Sequence, residues 1–371
     1  MDSERLPFLL AFNSLPRLKA QDAKSILEYY DGYAREAWLH PYEWGNVAVL
    51  GRDAEEEILS RRRSLDPAAL FEQWLNYGCK VTAWGDEDYP LLLRNIYDPP
   101  LVLFYHGALP GPEDVTLAMV GSRQASSYGR QAAEIFARDL AAQGCVIVSG
   151  MARGIDAVCH KAALSVGGRT VAVLGSGLDV IYPPEHDKLY ADICANGAVI
   201  SEFPLGTEAL PYNFPRRNRL ISGLSLGVIV VEAGAKSGTL RTVDYALEQG
   251  RDVYCVPGNV TSSTSRGTNR LLKEGAAAMM TCAEDVWQNY SAAPLVRPAA
   301  PQPPVRGEDP EERRLLLALK EPRRADELIA EGLTGLNVAD LQARLSMLEI
   351  RGLIRQLPGK YYQTVIRSIR A

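Results

Sequence analysis

The residues with the greatest chemical potential lie in one short run. Phe214-Pro215-Arg216-Arg217-Asn218-Arg219-Leu220 places three arginines within four positions, ahead of an apolar helix start. Guanidinium forks suit bidentate contact with phosphate, and the Phe214 ring offers a face on which a base could stack. A solvated basic turn is the competing interpretation of the same residues. Four Gly/Ser-rich segments follow apolar runs elsewhere. They are Gly121-Ser122-Arg123 with Ser126 and Ser127, Ser149-Gly150-Met151-Ala152-Arg153-Gly154-Ile155-Asp156, Gly175-Ser176-Gly177-Leu178-Asp179, and Ala233-Gly234-Ala235-Lys236-Ser237-Gly238-Thr239. Such loops present backbone N–H groups and hydroxyls to an anion, and Arg123, Arg153 and Lys236 add positive charge to three of them. None has the Gly-x-x-x-x-Gly-Lys-Ser/Thr order of a phosphate-binding loop that hydrolyses nucleotides, and Gly175-Ser176-Gly177 lacks the third glycine of a dinucleotide fingerprint. Six cysteines without a Cys-x-x-Cys pair and four dispersed histidines give no zinc-ligand spacing. The cysteines are expected to be small buried hydrophobes, and no metal or cofactor is expected.

Loops of this kind need strands behind them. Continuous apolar runs at 115–120, 145–149, 170–175, 198–203, 227–232 and 252–256 alternate with helical patterns. Strands that are apolar throughout are buried on both faces, which predicts a parallel, doubly wound α/β sheet. In such a sheet the loops at the strands' carboxyl ends converge, so the four Gly/Ser-rich segments are expected to form one anion site. In the first connecting helix, Ala132, Ile135, Phe136 and Leu140 fall on one face. Residues 79–105 supply two further strand candidates. The first 40 residues hold an amphipathic helix after a turn, the makings of a helix-hairpin-helix. Residues 291–310 contain six prolines in twenty positions and read as an extended linker. Beyond it, three short helical patterns and a hairpin turning at Pro358-Gly359 have the layout of a winged helix. Its third helix is expected to start at an Asn337 cap with Val338, Leu341, Leu345 and Leu348 inward. The expected division is therefore 1–78 helical, 79–290 α/β, 291–308 linker and 309–371 winged helix.

The formal charge of −5 argues at first against a nucleic-acid partner. Its distribution says something narrower. Residues 1–109 carry 17 acids against 11 bases, whereas 110–290 carry 18 against 16 and 309–371 carry nine against 11. The acidic excess lies mostly in the N-terminal segment, and the near-neutral centre can still gather bases at its loops. No apolar run approaches a membrane span, and MDSERLPFLL is too acidic and too briefly apolar for a signal peptide, so a cytoplasmic protein is expected.

Taken together, Gly-Ser-Arg at 121–123, Ser-Gly-x-Ala-x-Gly-Ile-Asp at 149–156, Gly-x-Gly-Leu-Asp-x-x-Tyr-Pro at 175–183, Phe-Pro-x-Arg-Asn-Arg at 214–219 and Lys-Ser-Gly-Thr-Leu at 236–240 follow a known order. The set resembles the DprA/Smf family of bacterial DNA-processing proteins over about residues 80–290. Tyr254–Asn259, Gly267-Thr268-Asn269 and Asp86–Pro90 with Asp98-Pro99-Pro100 extend the resemblance. It implies an extended Rossmann fold that forms a homodimer, with an N-terminal SAM-like helical domain and a C-terminal winged helix in many members. It also implies a non-enzymatic protein of natural transformation that binds and protects incoming single-stranded DNA and loads RecA onto it. The family's DNA-contacting positions carry over to Arg123, Arg216 and Arg219. Arg217, Lys236 and the neighbouring loop N–H groups extend that set on physical grounds alone.

Two departures bear on the ends of the chain. The N-terminal turn reads Pro16-Arg17-Leu18-Lys19 instead of the Pro-Gly-x-Gly of a DNA-gripping hairpin, so scaffolding or protein contact is expected there. In the winged helix, Arg344 and Arg351 share a surface with Asp340 and Glu349, leaving weak duplex contact and protein contact both open. The rival from another class is a nucleoside-monophosphate phosphoribohydrolase, because Val231-Glu232 and Lys236–Leu240 resemble that enzyme's phosphate loop. No convincing acid–base pair accompanies them.

Overall fold

The computed structural model describes residues 4–48, 50–290, 310–319, 321–330, 337–350, 353–357 and 360–364. The chain divides into two compact units, one through residue 299 and one from residue 300. The expected linker at 291–308 lies outside the described residues.

The N-terminal segment forms six helices: α1 (Leu6–Asn13), α2 (Ala20–Tyr29), α3 (Ala34–Leu39), α4 (Trp44–Val47), α5 (Arg52–Ser64) and α6 (Pro67–Tyr77). Asp66 caps α6 by accepting from Ala68 N, Pro67 opens it, and Gly78 at φ +77° closes it in the left-handed conformation that glycine tolerates. Phe12, Trp38 and Trp44 centre the helical cluster, with Phe12 ring contacts at 5.3 and 5.0 Å. That core runs on without a break into Val102, Phe104, Ala172 and Val199 of the sheet described next. The helices therefore share their apolar interior with the α/β region.

The next elements are β1 (Lys80–Ala83), α7 (Leu91–Arg94), β2 (Val102–Gly107), β3 (Thr116–Gly121), α8 (Ser127–Ala142), β4 (Val146–Ser149), α9 (Ile155–Ser165), β5 (Thr170–Val173), α10 (Asp187–Asn196) and β6 (Ala198–Ser201). They continue with α11 (Asn213–Gly223), β7 (Gly227–Glu232), α12 (Leu240–Glu248), β8 (Asp252–Cys255), α13 (Arg266–Lys273), β9 (Ala278–Met279) and α14 (Glu284–Tyr290). All six apolar runs are strands of one nine-stranded sheet, ordered β1-β2-β6-β5-β4-β3-β7-β8-β9. Pairing is parallel from β6 to β9 and antiparallel at β1–β2 and β2–β6. Alternate residues of each strand feed two cores. Leu117, Met119 and Ile147 meet α8, α9 and α14, while Ala118, Val120 and Val148 meet α11 and α12. On α8, Ala132, Phe136 and Leu140 are buried as expected. Ile135 is 37 % exposed, because Ala133, Ala137 and Ala141 take the inner stripe and place it on the rim.

The second unit contains α15 (Pro310–Ala318), β10 (Arg323–Arg324), α16 (Ala325–Ala330), α17 (Val338–Ile350), β11 (Ile354–Leu357) and β12 (Tyr361–Thr364), with sheet order β10-β12-β11. This is a winged helix around Leu315, Leu328, Leu341, Leu345 and Leu348. Asn337 caps α17, its Oδ1 accepting from Asp340 N at 2.9 Å. Val338 is 67 % exposed, since the first residue of the helix lies beyond the end of the core stripe. The expected turn at Pro358-Gly359 and Arg351 lie outside the described residues.

Candidate nucleic-acid interface

Strand order identifies where a ligand would enter. From β3 the chain winds outward through β4, β5 and β6, then returns to lay β7, β8 and β9 on the other side of β3. The crossover point lies between β3 and β7, beyond whose carboxyl ends doubly wound sheets bind their ligands. A cleft of about 550 Å³ opens there, lined by Gly121–Gln124 after β3, Ala152 and Asp156 after β4, Ser237–Thr239 after β7, and one side of α11. Three of the four loops expected to converge line this cleft, whereas Gly175–Asp179 does not and reaches it only indirectly, with Gly175 packed under the Phe214 ring.

The arginine run behaves differently from a basic turn. Pro215 falls in the first turn of α11, where its missing N–H costs no helical hydrogen bond, so the helix begins at Asn213 and takes in all three arginines. Helical spacing then fans them apart at about 100° per residue. Phe214, Asn218 and Ile221, at i, i+4 and i+7, face the cleft. Arg217 points into the floor and is buried. Its Nη1 donates to Gly150 O at 2.8 Å and to Val173 O, and its Nε donates to Asn218 Oδ1 at 3.2 Å. Burial pushes this guanidinium down to about 10, so it remains charged at neutral pH beside Asp156. Burial likewise raises the Asp156 carboxyl, against the pull of Arg217 and of the Gly150 N–H, which donates to Oδ2 at 3.2 Å.

Arg219 is also buried. Its Nη1 and Nη2 donate to Glu202 Oε1 and Oε2 at 3.0 and 2.7 Å, and its Nε donates to Asp98 Oδ2 at 3.0 Å. Burial works against its charge, yet Glu202 and Asp98 hold it well above the usual arginine value. Arg216, three residues earlier on the same side, is half exposed and reaches Glu202 Oε2 at 3.2 Å. The expectation that this run presents several arginines to one ligand is therefore corrected. Arg217 lines the cleft floor but is committed to backbone carbonyls, Arg219 is buried against Glu202 and Asp98, and Arg216 faces away from the cleft.

Several loop donors are committed too. Ser149 is buried, its hydroxyl donating to Met119 O at 2.6 Å. The N–H groups of Ser122, Gly150, Ser237 and Thr239 donate to Glu232 O, Asp156, Gly234 O and Ser237 Oγ respectively. Ser149 and Gly150 thus build the floor and do not line the cleft. Gly150 is required for a steric reason: a Cβ there would lie 2.6 Å from the Arg217 guanidinium. Lys236 is exposed on the β7–α12 loop, while Ser237, Gly238 and Thr239 line the cleft.

Arg123 is the cation the cleft keeps. It is exposed, has no ion pair among the described residues, and lies with Cζ 4.8 Å from the centre of the Phe214 ring. Phe214 packs on Tyr182 at 5.5 Å, and a Cβ at Gly175 would come within 2.8 Å of its edge. The ring is thereby held on several sides, with the Arg123 guanidinium against it. Arg153 lies 5.9 Å from Tyr182 and donates bidentately to Glu185 at 2.5 and 2.9 Å. Sequence reasoning missed Tyr182 and the Asp156–Arg217 pair as site elements, although both fall inside the quoted motifs. Glu232, which falls in the stretch resembling a phosphoribohydrolase phosphate loop, is committed elsewhere. That carboxylate is 2 % exposed and accepts from Ser126 N, Ser126 Oγ and Thr264 Oγ1 at 2.9, 2.6 and 2.7 Å, turned away from the cleft.

Comparison with known proteins agrees with this architecture. The family model for DNA recombination-mediator protein A matches residues 80–291, and the DprA winged-helix model matches 298–360. Protein Smf of Synechocystis is 32 % identical over 98 % of this chain and all of its own length, and that of Escherichia coli is 39 % identical over 84 % and 83 %. The X-ray structure of DNA processing protein A from Streptococcus pneumoniae superposes with TM-score 0.68 and 36 % identity, covering 76 % of this chain and 95 % of that one. DNA processing protein A from Helicobacter pylori, described for its single-stranded DNA binding mode, gives 0.51 and 28 % over 58 % and 97 %. The match to the family model over the sheet region, together with a relative matched along its whole length, shows that the chain belongs to the DNA recombination-mediator protein A (DprA/Smf) family.

Proposed function

We propose that the cleft between β3 and β7 holds the backbone of single-stranded DNA and that the protein acts by binding and handing on that strand, without chemical turnover. The observation that carries this is Arg123: an exposed cation with no ion pair among the described residues, braced on Phe214, at the mouth of a loop-lined cleft. Ser122, Asn218, Ser237 and Thr239 supply further polar groups for phosphate oxygens, and Arg153, paired with Glu185, lies against Tyr182 of the cleft wall. The single-stranded DNA binding mode described for the Helicobacter pylori protein supports the same ligand class. Binding by a homodimer and delivery of the strand to RecA for recombination during natural transformation complete the proposal, and they rest on family membership.

Titration of single- and double-stranded oligonucleotides at two salt concentrations tests the ligand class. Preference for the single strand, weakening with salt, is the expected result. Preference for duplex would overturn it.

A further inference from the structure

On the opposite side of α11 from the cleft lies a larger groove of about 880 Å³, walled by the α1–α2 turn, the Tyr97–Leu101 segment and Arg216. Three observations distinguish it from a packing gap. Tyr97 is 82 % exposed, yet its segment is fixed: Ile96 is buried, Asp98 accepts from Arg219 at 3.0 Å, and Tyr89 Oη donates to Pro100 O at 2.8 Å. An exposed ring carried on a fixed stretch of backbone costs less entropy to use as a stacking platform than one on a loose loop. Lys19 is exposed with no ion pair among the described residues. Its neighbour Arg17 is held at φ +61°, a left-handed conformation that non-glycine residues seldom adopt outside constrained sites.

The charge balance limits what could fit. Arg17 pairs with Glu57 at 3.0 Å, Arg219 with Glu202 and Asp98, and Asp22 also lines the groove. A nearly neutral groove with a mounted aromatic ring and one spare ammonium suits unpaired bases better than a dense phosphate track. The thickness of α11, about 10 Å, is all that separates the groove from the cleft, and consecutive residues of α11 face the two: Arg216 the groove, Arg217 and Asn218 the cleft.

We propose that single-stranded DNA leaving the cleft crosses α11 at Arg216 and lays its next bases in this groove, stacking on Tyr97 with a phosphate near Lys19. The proposal rests on the assignment of the cleft to single-stranded DNA and gives the N-terminal helices a part in strand binding. It departs from the expectation of a scaffolding or protein-contact role for that segment.

The test uses the full chain and fluorescence anisotropy with oligothymidylates of about six and about twenty nucleotides, the shorter able to fill the cleft alone. Tyr97→Ala is expected to weaken binding of the long strand about tenfold and to leave the short strand unaffected, with Lys19→Ala acting in the same sense more weakly. Unchanged long-strand affinity in both variants overturns the proposal, as does an equal loss at both lengths. Arg123→Ala, run in parallel, is expected to weaken both lengths. Its failure to do so would sink the cleft assignment, whereas the groove is judged on Tyr97→Ala. Both groove side chains are solvent-exposed, and an unchanged thermal midpoint certifies that each variant is folded.

Discussion

Arg217 separates two accounts of the same arginine run. If it faced the ligand, Arg217→Ala would weaken DNA binding in a well-folded protein. The structure gives it a different task. Arg217 is 3 % exposed, and its guanidinium donates to Gly150 O and Val173 O while countering the buried Asp156 carboxyl. Truncation would strand two buried carbonyl oxygens and an uncompensated acid. Losing one partner of a buried charged network costs about 3–5 kcal/mol, a large share of the roughly 5–15 kcal/mol that holds a domain together. Urea denaturation followed by tryptophan fluorescence would measure it, and a drop in midpoint at constant slope is expected. Gly150→Ala offers an independent approach, because its Cβ would fall 2.6 Å from the Arg217 guanidinium and force it off its partners. Overpacking of that kind costs about 1–3 kcal/mol. An Arg217→Ala protein with an unchanged midpoint and a flattened salt dependence of DNA binding would refute the internal role.

Two further predictions follow from the neighbouring geometry. Gly175→Ala brings a Cβ within 2.8 Å of the Phe214 ring, which should displace it and the Arg123 stacked on it. Anisotropy titration should show weaker single-strand binding, and an unchanged affinity would mean that ring placement does not matter. His160 governs acid stability. It is fully buried, with its Nδ1–H donating to Thr170 Oγ1, whose own proton goes to Ile147 O. Burial, then His186 and Arg217, push its imidazole down to about 3. A depressed folded value means that this contribution is complete above the unfolded value near 6.5 and is lost as pH falls toward 3. From about pH 7 to about pH 5 the loss is about 2 kcal/mol. Asp156, raised by burial, acts in the opposite direction, so comparison with His160→Leu isolates the histidine. An equally steep decline in that variant would contradict the assignment.

Much of this was legible in the sequence because buried parallel strands announce themselves. Continuous apolar runs such as Gly227–Glu232 can be little else, and their order with the intervening helices dictates where the loops meet. The two-residue strand Ala278–Met279 carries no such signal, with both residues exposed. The direction of individual side chains was harder to read. Pro215 looks like a boundary, yet proline is at home in a first helical turn, and whether the helix starts before or after the arginines decides whether they share one turn or fan to different faces. Which cations remain available depends on Glu202, Asp98 and Asp156, acids far from the arginines in sequence and beside them in space. Net charge could not reveal this, because a buried arginine paired with two carboxylates counts the same as an exposed one.

In the proposed arrangement, strand binding in the cleft depends most directly on Arg123. Its replacement by alanine should be followed by single-strand binding titrations across a range of salt concentrations. The expected result is weaker binding with an unchanged unfolding midpoint, and a slope of log affinity against log salt shallower by about 0.7, the loss of one phosphate contact. A folded Arg123→Ala protein with the original affinity and slope would show that the strand is held somewhere other than the cleft between β3 and β7.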